Sequence, residues 1–347
     1  MKNYQIKHSD LDGWLERIIA TSCRVIAPVT QDGHTDFSPI RSPKEVAADD
    51  QIQTIQSAKQ AAFPKADILF SYRKKGTDTT LEQPSPESYP KTVIWRAHPC
   101  DAAGFAPLSA IFNWDYKDNL YNARLERTTL VAFSCLKADA YCFCTSVGGG
   151  PGQKAGCDIL VTKLPSGTAL VEVGTEKGAA LTALAPEIFC EANEVAGENA
   201  PIFTEKEAAL AKIPTRFTRE EIRAKLKDAF DLPIWKEQSA RCLGCGACAF
   251  VCPTCACFDI QEDPHGPRQG RRVRCWDSCG FALFTQHTSG HNPRPTQATR
   301  WRQRILHKFS YMPERLAQTG CTGCGRCSRA CPVDMNLLEH LTAIAQK

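Results

Sequence analysis

The sequence predicts an α+β or α/β N-terminal domain followed by a mostly helical domain that carries a long insert. Three observations predict it. Short β-branched and aromatic runs alternate with helical patterns through about residue 203. Two helix-start signatures follow, at Thr204 and Thr218. Eight cysteines then recur in two near-copies of one spacing close to the C-terminus. The landmarks divide the chain into 1–203, a helical connector at 204–234, and 235–347, with residues 253–320 inserted between the two cysteine runs.

The elements follow in order. Ser9 is placed to cap a helix whose apolar face is Leu11, Trp14, Leu15, Ile18 and Ile19, at spacings of three and four. Cys23 to Ala27 reads as a strand stopped by Pro28. Residues 74–91, polar and carrying three prolines, read as an exposed loop. Thr92–Arg96 and Thr129–Ser134 are suited to buried strands. Asp158–Leu164 and Ala169–Val173 flank Pro165-Ser-Gly-Thr and read as a hairpin. Thr204 with Glu207, and Thr218 with Glu221, match capping boxes. The second of these helices aligns Ile222, Leu226 and Phe230, and Asp231-Leu-Pro233 ends it.

Bulk properties bound the function. At 347 residues the chain is long enough for two or three domains, and 43% apolar with 23% charged residues is ordinary for a globular protein. The N-terminus lacks an apolar signal region, and no apolar run reaches membrane-spanning length. Nineteen cysteines without an export signal imply a reducing cytoplasm in which thiolates hold metal. A net charge of +4 says little about partners, but the charge is uneven. From His265 to Lys308 there are nine Arg or Lys residues and one acid, Asp277. Such cations would stabilise a negative centre, dock an acidic partner or bind nucleic acid; a solvated basic surface is the plain alternative.

The cysteine runs are the most specific signal. They read Cys242-Leu-Gly-Cys245-Gly-Ala-Cys248-Ala-Phe-Val-Cys252-Pro253 and Cys321-Thr-Gly-Cys324-Gly-Arg-Cys327-Ser-Arg-Ala-Cys331-Pro332. This is the C-x2-C-x2-C-x3-C-P run of two-cluster ferredoxins, in which the fourth cysteine ligates the other cluster. The second domain is therefore expected to be ferredoxin-like with two [4Fe-4S] clusters. Cluster 1 is assigned Cys242, Cys245, Cys248 and Cys331; cluster 2 is assigned Cys321, Cys324, Cys327 and Cys252. Structural zinc favours paired C-x2-C knuckles, and a disulfide framework favours small secreted domains. Neither pattern fits.

Eleven cysteines remain. Cys135, Cys142 and Cys144 suit one loop around a cluster, with Cys100 closing it from a neighbouring strand end, so a third [4Fe-4S] cluster is expected here. Cys157 is a substitute candidate. Within the insert, Cys255, Cys257, Cys275 and Cys279 are candidates for a fourth site, or else small apolar residues packed against the other centres. Cys23 and Cys190 read as core. Gly148-Gly-Gly-Pro-Gly152 lacks both nucleotide-binding spacings and reads as a turn. His287 and His291 read as surface histidines.

Several strings together resemble one family. They are Tyr141-Cys-Phe-Cys-Thr-Ser-Val-Gly-Gly-Gly-Pro151, Cys252-Pro-Thr-Cys-Ala-Cys-Phe258, Trp276-Asp-Ser-Cys279, Gly290-His-Asn-Pro-Arg294 and Arg302-Gln-Arg-Ile-Leu-His-Lys-Phe309, with the closing cysteine run. The chain resembles the 4Fe-4S dicluster electron-transfer subunits that serve anaerobic sulfite reductase and that form the β subunit of cytoplasmic sulfhydrogenases. Related subunits accompany heterodisulfide-reductase-type flavin complexes. The resemblance implies a non-catalytic conduit in a cytoplasmic hetero-oligomer, with no nucleic acid and no membrane. A FAD- and NAD(P)-binding flavoprotein subunit would supply electrons, and a catalytic oxidoreductase subunit would receive them: sulfite reductase, nickel–iron hydrogenase or a disulfide-reducing module. The family pattern is less regular at Cys275 than at Cys279. Two other readings compete. One is a substrate-reducing enzyme with an open cluster at Cys135, Cys142 and Cys144 and a free Cys100; the other is a nucleic-acid-binding protein with a structural cluster.

Overall fold

In the computed structural model, which describes residues 2–48, 52–192 and 200–346, two sheets organise the chain. The strands are β1 (Lys2–Lys7), β2 (Arg24–Gln31), β3 (His34–Pro39), β4 (Ala66–Lys75), β5 (Asp78–Glu82), β6 (Thr92–Ala97), β7 (Thr128–Phe133), β8 (Ile159–Lys163), β9 (Thr168–Val173), β10 (Cys190–Glu191), β11 (Phe258–Pro264) and β12 (Gln269–Trp276). The larger sheet has eight strands in the order β10-β1-β9-β8-β7-β6-β2-β3, and the smaller has four in the order β11-β12-β4-β5.

The centre of the large sheet is parallel: β2 with β6, β6 with β7, and β7 with β8. Parallel strands are covered on both faces, which is why β6 to β8 read as almost unbroken apolar runs. On one face lies the helix Asp10–Ile19, which buries Leu11, Trp14, Leu15 and Ile18. Trp14 meets Trp95 edge-on at 5.2 Å and donates from Nε1 to the Leu181 carbonyl at 2.9 Å. On the other face Phe63, Phe105, Leu108, Phe112 and Tyr121 form a second core with Ile94 and Leu130. A third core, holding Trp235, Trp301, Ile305 and Leu341, underlies the C-terminal cysteine loops.

Parallel strands end at the same edge, and ligand sites gather there. Cys100 follows β6 and Cys135 follows β7 at that edge. A register shift between Trp95 and Ala97 leaves Arg96 with φ +60°, a bulge that turns the chain into the short helix Pro99–Ala103.

Several sequence expectations need correction. The C-terminal part is not mostly helical: β11 and β12 of the insert form an antiparallel pair, and β12 pairs with β4 from the N-terminal part. Glu262 on β11 stands opposite Arg272 on β12 and pairs with it at 2.9 Å. Residues 74–91 are not one loop, since they hold the end of β4 and all of β5, which form a hairpin. Pro28 does not stop β2; pairing to β6 ends at Ile26, so no hydrogen bond to that strand is lost, and the Pro28 carbonyl accepts from Ala47 at 2.8 Å. Ser9 bonds to Asp10 and makes no side-chain cap. Thr204 lies inside the helix Ala200–Ala209 rather than at its start. The Thr218–Glu221 capping box is present, but its helix ends at Leu226 and Phe230 is exposed.

Candidate iron–sulfur centres

The two cysteine runs fold into the same loop. Each passes through left-handed glycines, Gly244 and Gly246 in the first and Gly323 and Gly325 in the second, before a short helix opens. The left-handed turns let each loop curl back on itself. A small cavity is lined by Cys242, Cys245 and Cys248 together with Cys327 and Cys331 from the other run. Cys252 in turn neighbours Cys321 and Cys327. Cys331 of the second run thus shares a cavity with the first three cysteines of the first, and Cys252 of the first run stands beside the first and third of the second.

Hydrogen bonds to sulfur surround both sets. Gln297 donates to Cys242 Sγ at 3.0 Å, the Met335 amide to Cys331 at 3.2 Å, and the Gly323 amide to Cys321 at 3.4 Å. Lys308 Nζ lies 3.3 Å from Cys252 Sγ and 3.0 Å from the Thr254 hydroxyl. Such donors favour the more reduced state of a cluster and raise its potential.

The N-terminal set also converges. Cys142 and Cys144 lie beside Cys135, and Cys135 lies beside Cys100. Gln53 donates to Cys100 Sγ at 3.0 Å; Arg329 donates to Cys142 Sγ at 3.1 Å while pairing with Asp139. This loop docks directly on the second cysteine run. The Phe143 amide donates to the Gly323 carbonyl at 2.8 Å, and Cys324 neighbours both Cys100 and Cys144. Cys157 is elsewhere, packed with Ala102, Ala132 and Leu160. Cys23 packs against the main core, whereas Cys190 is exposed on β10, contrary to the sequence reading.

In the insert, Cys255, Cys257 and Cys279 border one cavity of about 360 Å³ that does not include Cys275. Cys275 sits in β12 opposite Asp259 and Ala66. The glycine-rich turn lines a different cavity with Cys100, Cys144 and Arg219, and His287 and His291 are exposed.

The chemistry of the thiols fits iron–sulfur clusters. Burial pushes Cys144 up to about 11 and both Cys248 and Cys321 up to about 12. Thiols this hard to ionise become thiolates when a coordinated metal supplies the charge. The cations close to these sulfurs are buried: Arg304, Lys308 and Arg326 are each under 5% exposed. Arg274 is buried too but serves structure, pairing with Asp67 at 2.7 Å and with Asp118. The basic stretch is therefore partly internal rather than a uniform solvated face.

Sequence reading missed Gln53, Asp101, Asp139 and Lys59, whose Nζ donates to the Cys255 carbonyl at 2.9 Å. Asp101 adjoins Cys100 and was findable; nothing in the sequence marks Gln53, which lies 47 positions from the thiol it meets.

Comparison with known proteins agrees with this chemistry. A family model for the 4Fe-4S dicluster domain matches residues 241–335. The chain is 32% identical over 321 residues to the β subunit of sulfhydrogenase 2 from Pyrococcus furiosus, covering 92% of this chain and 91% of that one. No solved structure matches.

Proposed function

Because this chain belongs to the family of 4Fe-4S dicluster electron-transfer subunits that includes the sulfhydrogenase β subunit, we propose that it relays single electrons inside a cytoplasmic hetero-oligomer. The donor is a FAD- and NAD(P)-binding flavoprotein subunit. The acceptor is a catalytic subunit of hydrogenase, sulfite reductase or heterodisulfide-reductase type. The clusters supply one-electron chemistry with little atomic rearrangement. The chain supplies thiolate cages, sulfur-directed donors and a fixed spacing between sites. Cages 1 and 2 are the eight cysteines of the paired runs, and the third is Cys100, Cys135, Cys142 and Cys144.

One observation carries the reading: neighbouring cages share a border. Cys324 lies beside Cys100 and Cys144, and Cys248 lies beside Cys327. A structural cluster needs no neighbour; a relay does. Among the described residues no helix is long and apolar enough to cross a membrane.

The test is Cys324→Ala in the whole complex. NAD(P)H-linked turnover should stop while the flavoprotein subunit keeps reducing dyes. Undiminished turnover with one cluster lost would refute the relay.

A further inference from the structure

The insert holds a thiol set that the paired runs do not use. Cys255 and Cys257 lie just beyond the first Cys-Pro step, and Cys279 lies in the turn after β12. Cys257 and Cys279 are hydrogen-bonded through their side chains; Cys255 neighbours Cys257 and is hydrogen-bonded through its side chain to Cys252 of the first run. All three face the 360 Å³ cavity.

The same lining is cationic: Arg294, Arg304, Lys308 and Arg315 border the cavity, and no carboxylate does. Arg304 Nη1 stands 3.6 Å from Cys255 Sγ, and Lys308 Nζ stands 3.7 Å from the same sulfur. Arg304 is 4% exposed and Lys308 is 3% exposed. Buried cations need counter-charge, and sulfur is the source in reach. The helix carrying them opens into a π turn over His307–Tyr311, a local widening often found at functional sites. Three thiolates can fill three corners of a cube, and no fourth cysteine lines the cavity.

We propose that Cys255, Cys257 and Cys279 hold a further iron–sulfur cluster whose fourth iron has no cysteine and faces this cavity, where it binds a small anion with a soft donor atom. An iron already bound by thiolate and sulfide accepts such donors, and the arginines attract negative charge. Cys275 takes no part. The site does not depend on the relay: it stands or falls on metal content and anion binding.

The experiment uses the full chain, reconstituted anaerobically, with hydrosulfide as the probe. Wild-type protein should give a three-iron paramagnetic signal after brief mild oxidation, because the iron without cysteine leaves first. Hydrosulfide should shift one set of signals in the reduced protein. Cys257→Ser with Cys279→Ser should lose about a quarter of the iron, together with both responses, if four cubes are present. Cys275→Ser should change nothing. Arg294→Gln should keep its iron and bind hydrosulfide about tenfold more weakly, which tests the site even if the double variant fails to fold. Unchanged iron in a folded double variant, one equivalent of zinc in place of iron, or wild-type signals indifferent to hydrosulfide would each overturn the proposal.

Discussion

Arg326, inside the second cysteine run, and Asp101, next to Cys100, form an ion pair at 2.9 Å with both side chains at most 1% exposed. Arg326 also donates to the Thr54 carbonyl and hydroxyl, each at 3.0 Å. The pair ties the edge of the large sheet to the C-terminal loops at the point where Cys100 approaches Cys324. Removing one partner of such a pair leaves the other charge buried and alone. Arg326→Gln should destabilise the chain by roughly 3–5 kcal/mol, and Arg326→Met with Asp101→Leu should recover much of that. Denaturant unfolding of the three proteins checks this; equal stability of the single variant and wild type would count against it.

Gly323 sets how closely the two cysteine loops dock. A Cβ there would stand 2.5 Å from the Cys144 Cα and amide nitrogen, at φ +65°. Both neighbouring atoms are backbone and cannot step aside. Gly323→Ala should therefore loosen the N-terminal set and the second run together, with iron lost from both. Gly150→Ala is the control, because nothing lies within 4 Å of its Cβ position. Iron analysis and paramagnetic resonance of the two variants give opposite results on this account.

Lys308 is fully internal beside Cys252 and Cys255. Burial alone would lower its pKa, but the adjacent Cys252 and Cys255 sulfurs outweigh burial and hold it well above the ordinary lysine range. It is therefore a permanent positive charge at the second cage. Lys308→Met removes that charge and should lower the midpoint potential of the neighbouring cluster by on the order of 50 mV, about tenfold in a one-electron equilibrium. A redox titration followed by paramagnetic resonance reads the shift; a rise in potential would contradict the assignment.

Acid should loosen the C-terminal helix. His340 packs edge-on against Trp301 at 5.0 Å, and burial, helped by Arg241, lowers its pKa to about 4. The folded chain therefore keeps this imidazole neutral between about 4 and 6.5, whereas the unfolded chain protonates it. Stability contributed by the neutral ring is complete above about 6.5 and is lost as the pH falls toward 4. His340→Gln should remove roughly 1–2 kcal/mol of the difference in unfolding free energy between pH 7 and pH 5. Identical pH dependence in variant and wild type would refute it.

Local signals in the sequence carry much of this architecture. The parallel centre of the large sheet is visible as apolar runs, and both cysteine loops are visible as spacing. The small sheet is not, because β11 is exposed along its length and alternates apolar with polar residues only at Phe258 and Ile260. Its order comes from cross-strand charge pairs and from β4, almost 200 residues earlier. Reasoning from strand ends places Cys100 and Cys135 at one edge of the large sheet, where the fold has them. The sulfur partners Gln53 and Arg329 are not legible in this way, since long-range packing leaves no periodic trace. Cys275 and Cys279 are four residues apart, yet one lies in a strand and the other beyond its turn. Spacing alone could not separate them.

The pairing of β12 with β4 has a practical side. A fragment beginning near Trp235 would contain both cysteine loops but would leave the β4-facing side of β12 bare. That strand would offer unpaired amides and carbonyls to any other chain, and sticking between copies would follow. Truncation is thus a poor route to a miniature ferredoxin from this protein; the insert has made the two halves one folding unit.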